Sequence, residues 1–502
     1  MAKYTYKPLT GNEIRLLKIL PGRQGLKIEC SIYHDDLHSR NIKYTALSYT
    51  WGDPTPTKSI QVDGHSFEVT RNLFDALDHL RDVDQVRTFW VDAVCINQDD
   101  VDERNKQVLR MRDIYTLAAS VEAWLGTLEA HDASAVDLVQ ALGDLVPDAE
   151  DVISRPGPAW EAVAEEALRL FCSVPAETLK HLNRLLLRPW WTRVWIVQEL
   201  SLAEQDDAMV TCGSRTLPWR HYLVAAKAIE KCWAEVSVIV QQDFPDELIN
   251  GFTSGIRLSQ CRRLDPSDPP YRLLDLLHQH RDCEATDPRD KVYGLLGMSG
   301  DGEAMKIFPD YTRSVEDVYR DLAEKYVVAT GSLDIICACR FPRKFENLPS
   351  WVPDWSTDQT VPGICINERF CGGDSFKGSR SGQVERYSAA GLTRAQFEIS
   401  GNILSAKGFA FGNILELGLQ DDGMTSGPVH NFGRIDENGK SKSGIPVFDN
   451  WTDTLFESEH WAVIEARYDG LDECIDAFCR TIIANRSGAL TKPIAIGPEE
   501  KE

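Results

Sequence analysis

The sequence has no uninterrupted apolar run approaching the roughly 18 residues that a membrane-spanning helix needs, so a spanning segment is not expected. Its opening stretch, MAKYTYKPLTGNEIRLLKIL, also lacks the continuous apolar core of a secretion signal, because Asn12, Glu13, Arg15 and Lys18 interrupt it. Paired C-x-x-C spacing is missing. The 13 cysteines are scattered, and neither Cys337 with Cys339 nor Cys474 with Cys479 has the geometry of a zinc site, so no metal is expected. There is no G-x-x-x-x-G-K-[ST] loop and no G-x-G-x-x-G following a strand, which removes the common phosphate and dinucleotide cradles. Basic clusters are absent too. With 54 basic against 77 acidic residues the formal net charge is −23, a field that repels nucleic-acid backbones and anionic membrane surfaces. These absences point to a cytoplasmic protein with reduced thiols, no cofactor, no nucleic-acid partner and no membrane partner.

What is present is ordinary globular material: 43% hydrophobic and 26% charged residues in a chain of 502, long enough for two or three cooperating units. IRLLKILPGRQGLKIECSIYHDDL reads as a hairpin around a Pro-Gly turn, and KSIQVDGHSFEVT as a second one around Asp63-Gly64. YTALSYTWGDP supplies a strand over 44–51 closed by a turn. RNLFDALDHLR has helical spacing at Leu73, Leu77 and Leu80. FWVDAVCIN, Phe89 to Asn97, reads as a strand covered on both faces, with Asp92 as its one charge. Asp99 or Asp100 caps the next helix, whose stripe is Val108, Met111, Tyr115 and Ala118; Asn97 is read as a further capping residue, and VEAWLG is another strand.

This alternation predicts an α/β fold with an open, largely parallel sheet and flanking helices. A helical middle region and a C-terminal mixed α+β region with final helices over 452–485 follow. The expected division is 1–43 hairpin region, 44–215 α/β domain, 216–345 helical region, 346–486 mixed region and 487–502 tail.

YTALSYTWGD, FWVDAVCINQDD, QVLRMRDIYTLAASVEAWLG and RPWWTRVWIVQELSLA, in that order, resemble the signature blocks of the fungal heterokaryon-incompatibility (HET) domain. TDPRDKVYGLLGM, PDYTRSVEDVYRDLAEKYV and LPSWVPDW resemble blocks that accompany it in long HET-domain proteins. The resemblance covers most of 11–355 and implies a protein of fungal non-self recognition and programmed cell death, with self-association and an unidentified protein trigger as its partners. HET domains are in turn similar in fold to Toll/interleukin-1-receptor (TIR) domains, some of which cleave NAD+ at the nicotinamide–ribose bond. In plant TIR domains the catalytic glutamate lies in a helix reading roughly W-C-L-D-E-L. Trp195 and Glu199 of WIVQEL fall on the matching positions, and Leu47-Ser48-Tyr49 resembles the end of the TIR first strand.

The resemblance therefore implies Glu199 as an essential carboxylate and NAD+ as substrate. On one continuous helix Trp191, Trp195 and Glu199 would share a stripe, indole faces beside an acid. Such an acid can stabilise the positive charge that builds on ribose as nicotinamide leaves. The competing reading makes the tryptophans core and pairs Glu199 with Arg193 or a neighbouring arginine. Ser48, Tyr49 and Asp53 line or follow a strand end, where ligands bind in open α/β sheets, and Asp92 belongs with them if its strand ends nearby. Trp51 is read as a packing corner. Cys95 is a small buried hydrophobe, not a nucleophile served by His65 or His79. Asp287 to Lys291 is an ion-pair corner. A non-enzymatic, self-associating signalling module is the alternative function.

Overall fold

The computed structural model describes residues 4–146, 158–202, 208–243, 272–339, 343–357 and 394–407. Nearly all of them lie in one compact unit, Met1–Phe370 with Ile399–Leu404. Its centre is a nine-stranded sheet in the order β5-β4-β2-β1-β6-β3-β7-β8-β9. The strands are β1 (Glu13–Ile19), β2 (Glu29–Asp36), β3 (Thr45–Tyr49), β4 (Thr57–Val62), β5 (His65–Thr70), β6 (Arg87–Trp90), β7 (Ser120–Trp124), β8 (Ala208–Cys212) and β9 (Arg215–Pro218).

The four central strands β6, β3, β7 and β8 run parallel. Four of the five residues of β3 are buried, and likewise of β7, as strands covered on both faces require. Antiparallel hairpins flank this centre: β1–β2 on one side, joined to the parallel core by β1–β6, and β8–β9 on the other. The hairpin expected over 14–37 is thus part of the central sheet. In the β4–β5 hairpin both Asp63 (φ 50°) and Gly64 (φ 79°) take the left-handed conformation that a tight two-residue turn demands.

Helix α1 (Arg71–Leu80) is capped by the Thr70 hydroxyl, which accepts the Leu73 N–H at 3.4 Å. FWVDAVCIN is not one strand. β6 stops at Trp90, and Asp92–Cys95 forms a single helical turn, α2. A charge in the middle of a doubly covered strand is costly unless a partner meets it; ending the strand first puts Asp92 at the sheet's rim. Asp100 caps α3 (Val101–Thr116) by accepting the Glu103 N–H at 3.0 Å. The buried stripe of α3 is Gln107, Met111, Ile114 and Tyr115, rotated from the expected one, and Ala118 lies beyond the helix.

Between β7 and β8 the chain forms α4 (Asp132–Gly143), α5 (Pro158–Ser173), α6 (Ala176–Leu186), a 3-10 turn at Pro189–Thr192 and α7 (Trp195–Ser201). After β9 come α8 (Trp219–Lys231), α9 (Trp233–Asp243), α10 (Leu273–Gln279), α11 (Asp290–Leu296) and α12 (Val315–Thr330). A two-stranded hairpin, β10 (Phe397–Ser400) and β11 (Ile403–Ala406), is the last described element. The expected helices over 452–485 and the tail lie outside the described residues.

Strand order locates the rim that matters. The chain leaves β3 and returns in β6 on one side, then crosses from β6 to β7 on the other. Right-handed crossovers send α1 and α3 to opposite faces of the sheet, so the carboxyl ends of β3 and β6 form its topological switch point. α7 packs on α3 and so covers that same face. No described helix is long and apolar enough to cross a membrane.

Candidate functional site

The carboxyl end of β3 carries Ser48, fully buried, and Tyr49, 2% exposed. Ser48 sits in a chain of donors. The Trp190 indole N–H donates to its Oγ at 2.9 Å, and the Ser48 hydroxyl donates in turn to Oε2 of Glu199. Glu199, on α7, is 2% exposed. A nitrogen of Arg193 stands 3.8 Å from Glu199 Oε2, and the same nitrogen donates to the Tyr49 carbonyl at 2.6 Å. The Tyr115 hydroxyl, which donates to the Leu47 carbonyl at 3.1 Å, also lies against the Glu199 carboxyl.

Burial pushes the Glu199 carboxyl up to about 7, against the opposing pull of Arg193 and of the Ser48 hydrogen bond; the nearby charge of Asp92 adds to the rise. Asp92, just past the end of β6, is also raised by desolvation and held back by Arg193 and its hydrogen bonds. Its Oδ2 accepts the Trp51 indole N–H at 2.7 Å and its Oδ1 the Ala93 N–H at 2.7 Å, while the Tyr49 hydroxyl bonds to it as well. Two acids of raised pKa thus share one arginine at the sheet's carboxyl rim, and Glu199, at about 7, is the one that titrates near neutral pH.

Ser48, Tyr49, Asp92 and Glu199 are therefore brought together. Other expected residues go elsewhere. The stripe of Trp191, Trp195 and Glu199 does not exist, because the backbone extends at Arg193 (φ −70°, ψ 138°) between the 3-10 turn and α7. Pro189 starts that turn as its first residue, and four residues of 3-10 cannot phase with the following α-helix. Trp191, 1% exposed, joins an aromatic cluster with Trp219 and Tyr222 at centroid distances of 6.0 and 5.6 Å. Trp195 remains one turn before Glu199, but its indole N–H donates to Asp290 at 3.1 Å. Asp53 is exposed and accepts the Thr55 N–H at 2.9 Å in a loop turn.

Trp51 is not a packing corner: it is 41% exposed, beside Gly52 at φ 73°, its polar atom fixed to Asp92. The sequence gives no role to Trp190 and reads Tyr115 only as part of a helix stripe and Asp290 only as part of an ion-pair corner. Trp190 has a signal in its neighbour Trp191, from which it differs only in phase. Cys95 is buried and its thiol is pushed up to about 12 by desolvation, so it carries no thiolate near neutral pH.

Residues 44–199 match the family described as Heterokaryon incompatibility protein (HET). The chain contains a HET domain. It is also similar to Heterokaryon incompatibility protein 6, OR allele, of Neurospora crassa, with 29% identity over 471 residues. That similarity covers 81% of this chain and 65% of the relative's own length. No solved structure matches. Glu199 is the last residue of the matched HET segment, and Ser48, Tyr49 and Asp92 all lie within it. The segment thus begins one residue before β3 and ends on the acid that β3 holds.

Proposed function

We propose that the chain acts in heterokaryon incompatibility and that its HET domain hydrolyses NAD+ at the nicotinamide–ribose bond, with Glu199 as the essential carboxylate. One observation carries this reading: Glu199, tuned to about 7, is hydrogen-bonded to Ser48 at the carboxyl end of the central parallel strand, next to Tyr49 and Asp92. Cleavage breaks the C1′–N bond, the electron pair leaves with nicotinamide, and the ribose carries the positive charge. Ionised Glu199 stabilises that charge, and water then adds to C1′ and gives up a proton, yielding ADP-ribose. Asp92 and Tyr49 are placed to take ribose hydroxyls.

In the described form Glu199 is 2% exposed, so the reaction belongs to an opened state, which we assign to self-association after triggering. The test is nicotinamide release from NAD+ by the purified, concentrated protein. Glu199→Gln keeps the shape and an acceptor for Ser48, and is expected to lower release at least about a hundredfold with folding intact. Absence of release from the wild type in every assembled state would sink the enzymatic reading.

The same burial, with Arg193 at 3.8 Å, favours a second reading in which Glu199 is a structural hub and the HET domain recruits other death machinery. Toxicity on overexpression separates the two. If toxicity persists in folded Glu199→Gln, the recruiting module is correct.

A further inference from the structure

We propose that Asp290 is a positioning residue for Glu199, and that residues 284–311, outside the matched HET segment, brace the helix that carries it. The inference rests on the reading that Glu199 is the working carboxyl. α7 has only seven residues, too few to hold helical shape unaided, and Val194 before it makes no side-chain cap. Its geometry has to come from neighbours. At one end Ser48 binds Glu199 to the sheet. The other end is held from far along the chain.

The Val194 N–H donates to the Glu284 carbonyl at 2.9 Å, the Glu284 N–H returns to Thr192 O at 2.5 Å, and the Thr192 hydroxyl donates to Glu284 Oε2 at 2.8 Å. Asp290 then takes one donor on each carboxyl oxygen: the Trp195 indole N–H on Oδ2 at 3.1 Å and the Tyr311 hydroxyl on Oδ1 at 2.5 Å. Tyr311 is itself fixed to α3. Its N–H donates to Asn105 Oδ1 at 3.0 Å, and the Arg104 guanidinium lies 4.1 Å from its ring centre.

Glycine lets the brace lie close. A Cβ at Gly294 would stand 3.2 Å from Val194 Cγ1, and one at Gly297 would stand 2.5 Å from Gln198 Oε1. Trp195 and Glu199 are four apart on α7, so they point to similar sides one turn apart. Fixing the indole on Asp290 therefore fixes the rotation and height at which the carboxyl meets Ser48. A general stabilising contact would not need to act at that position alone.

The test uses the full chain, with Asp290→Asn and Tyr311→Phe. Asparagine offers one acceptor oxygen where two donors wait, and phenylalanine keeps the ring while removing one donor. Hydrogen exchange of the 195–201 amides is expected to quicken about tenfold or more in Asp290→Asn, less in Tyr311→Phe, with β3 and β7 unchanged. The Glu199 carboxyl, followed by NMR, is expected to titrate about one pH unit lower as water reaches it. Unchanged exchange and titration would overturn the proposal, and so would exchange that rises equally throughout the sheet. If the wild type releases nicotinamide, Asp290→Asn lowers kcat with KM held. If it does not, the function proposed above fails, while exchange and titration still decide the brace.

Discussion

Glu199 reverses the usual direction of acid stability. Its carboxyl in the folded chain is raised to about 7, above the roughly 4.3 of an unfolded glutamate. The unfolded chain therefore ionises first as pH rises, and the protonated group's contribution, full below about 4, is lost as pH climbs through 7. The contribution is about 4 kcal/mol at most. Urea unfolding of wild type and Glu199→Gln is expected to show a stability loss between pH 5 and pH 8 that is smaller in the variant. A variant with the same pH slope as the wild type would show that Glu199 is ionised when folded. The identity of this acid was legible in the sequence from its motif. Its partners are legible only in part: the sequence points to Ser48 and Arg193, whereas Trp190 depends on a break at Arg193 that helical periodicity cannot reveal.

Among the elements, those with strong local codes match their sequence signals. The Asp63-Gly64 hairpin, the Asp100-capped helix and the apolar strands β3 and β7 each follow from a few adjacent residues. FWVDAVCIN misled because a run of apolar residues is the same for a doubly covered strand and for a strand followed by a buried turn. The β8–β9 hairpin gives a direct test of local geometry. Gly213 takes φ 56°, and a Cβ there would fall 2.6 Å from the Leu128 backbone nitrogen. Backbone cannot step aside as a side-chain tip can. Gly213→Ala is expected to cost about 1–3 kcal/mol, read as a lowered urea midpoint with unchanged slope. A neutral effect would mean that this turn is looser than its contact with Leu128 requires.

At the scale of the whole molecule, the family-matched stretch 44–199 is not a closed piece of structure. β1 and β2 lie between β4 and β6, and β8, after the match, covers the outer edge of β7. A fragment of 44–199 alone would expose the β6 and β7 edges and leave β4 bonded only to β5, so it is expected to aggregate and to lack a cooperative unfolding transition. Size-exclusion chromatography and circular dichroism would register a soluble, cooperatively folding fragment as the contrary result. The motif blocks suggest a boundary at 43/44 because they begin there, whereas strand pairing between Leu17 and Phe89 is invisible to any local signal. Inheritance feels the same geometry. A crossover that exchanged only 44–199 between two related chains would carry Glu199 into a stranger's frame. The newcomer would have to fit the resident Asp290 through Trp195 and the resident Leu17 through Phe89. Chimaeras of such proteins should therefore fail or succeed at these two seams, well away from the swapped acid itself.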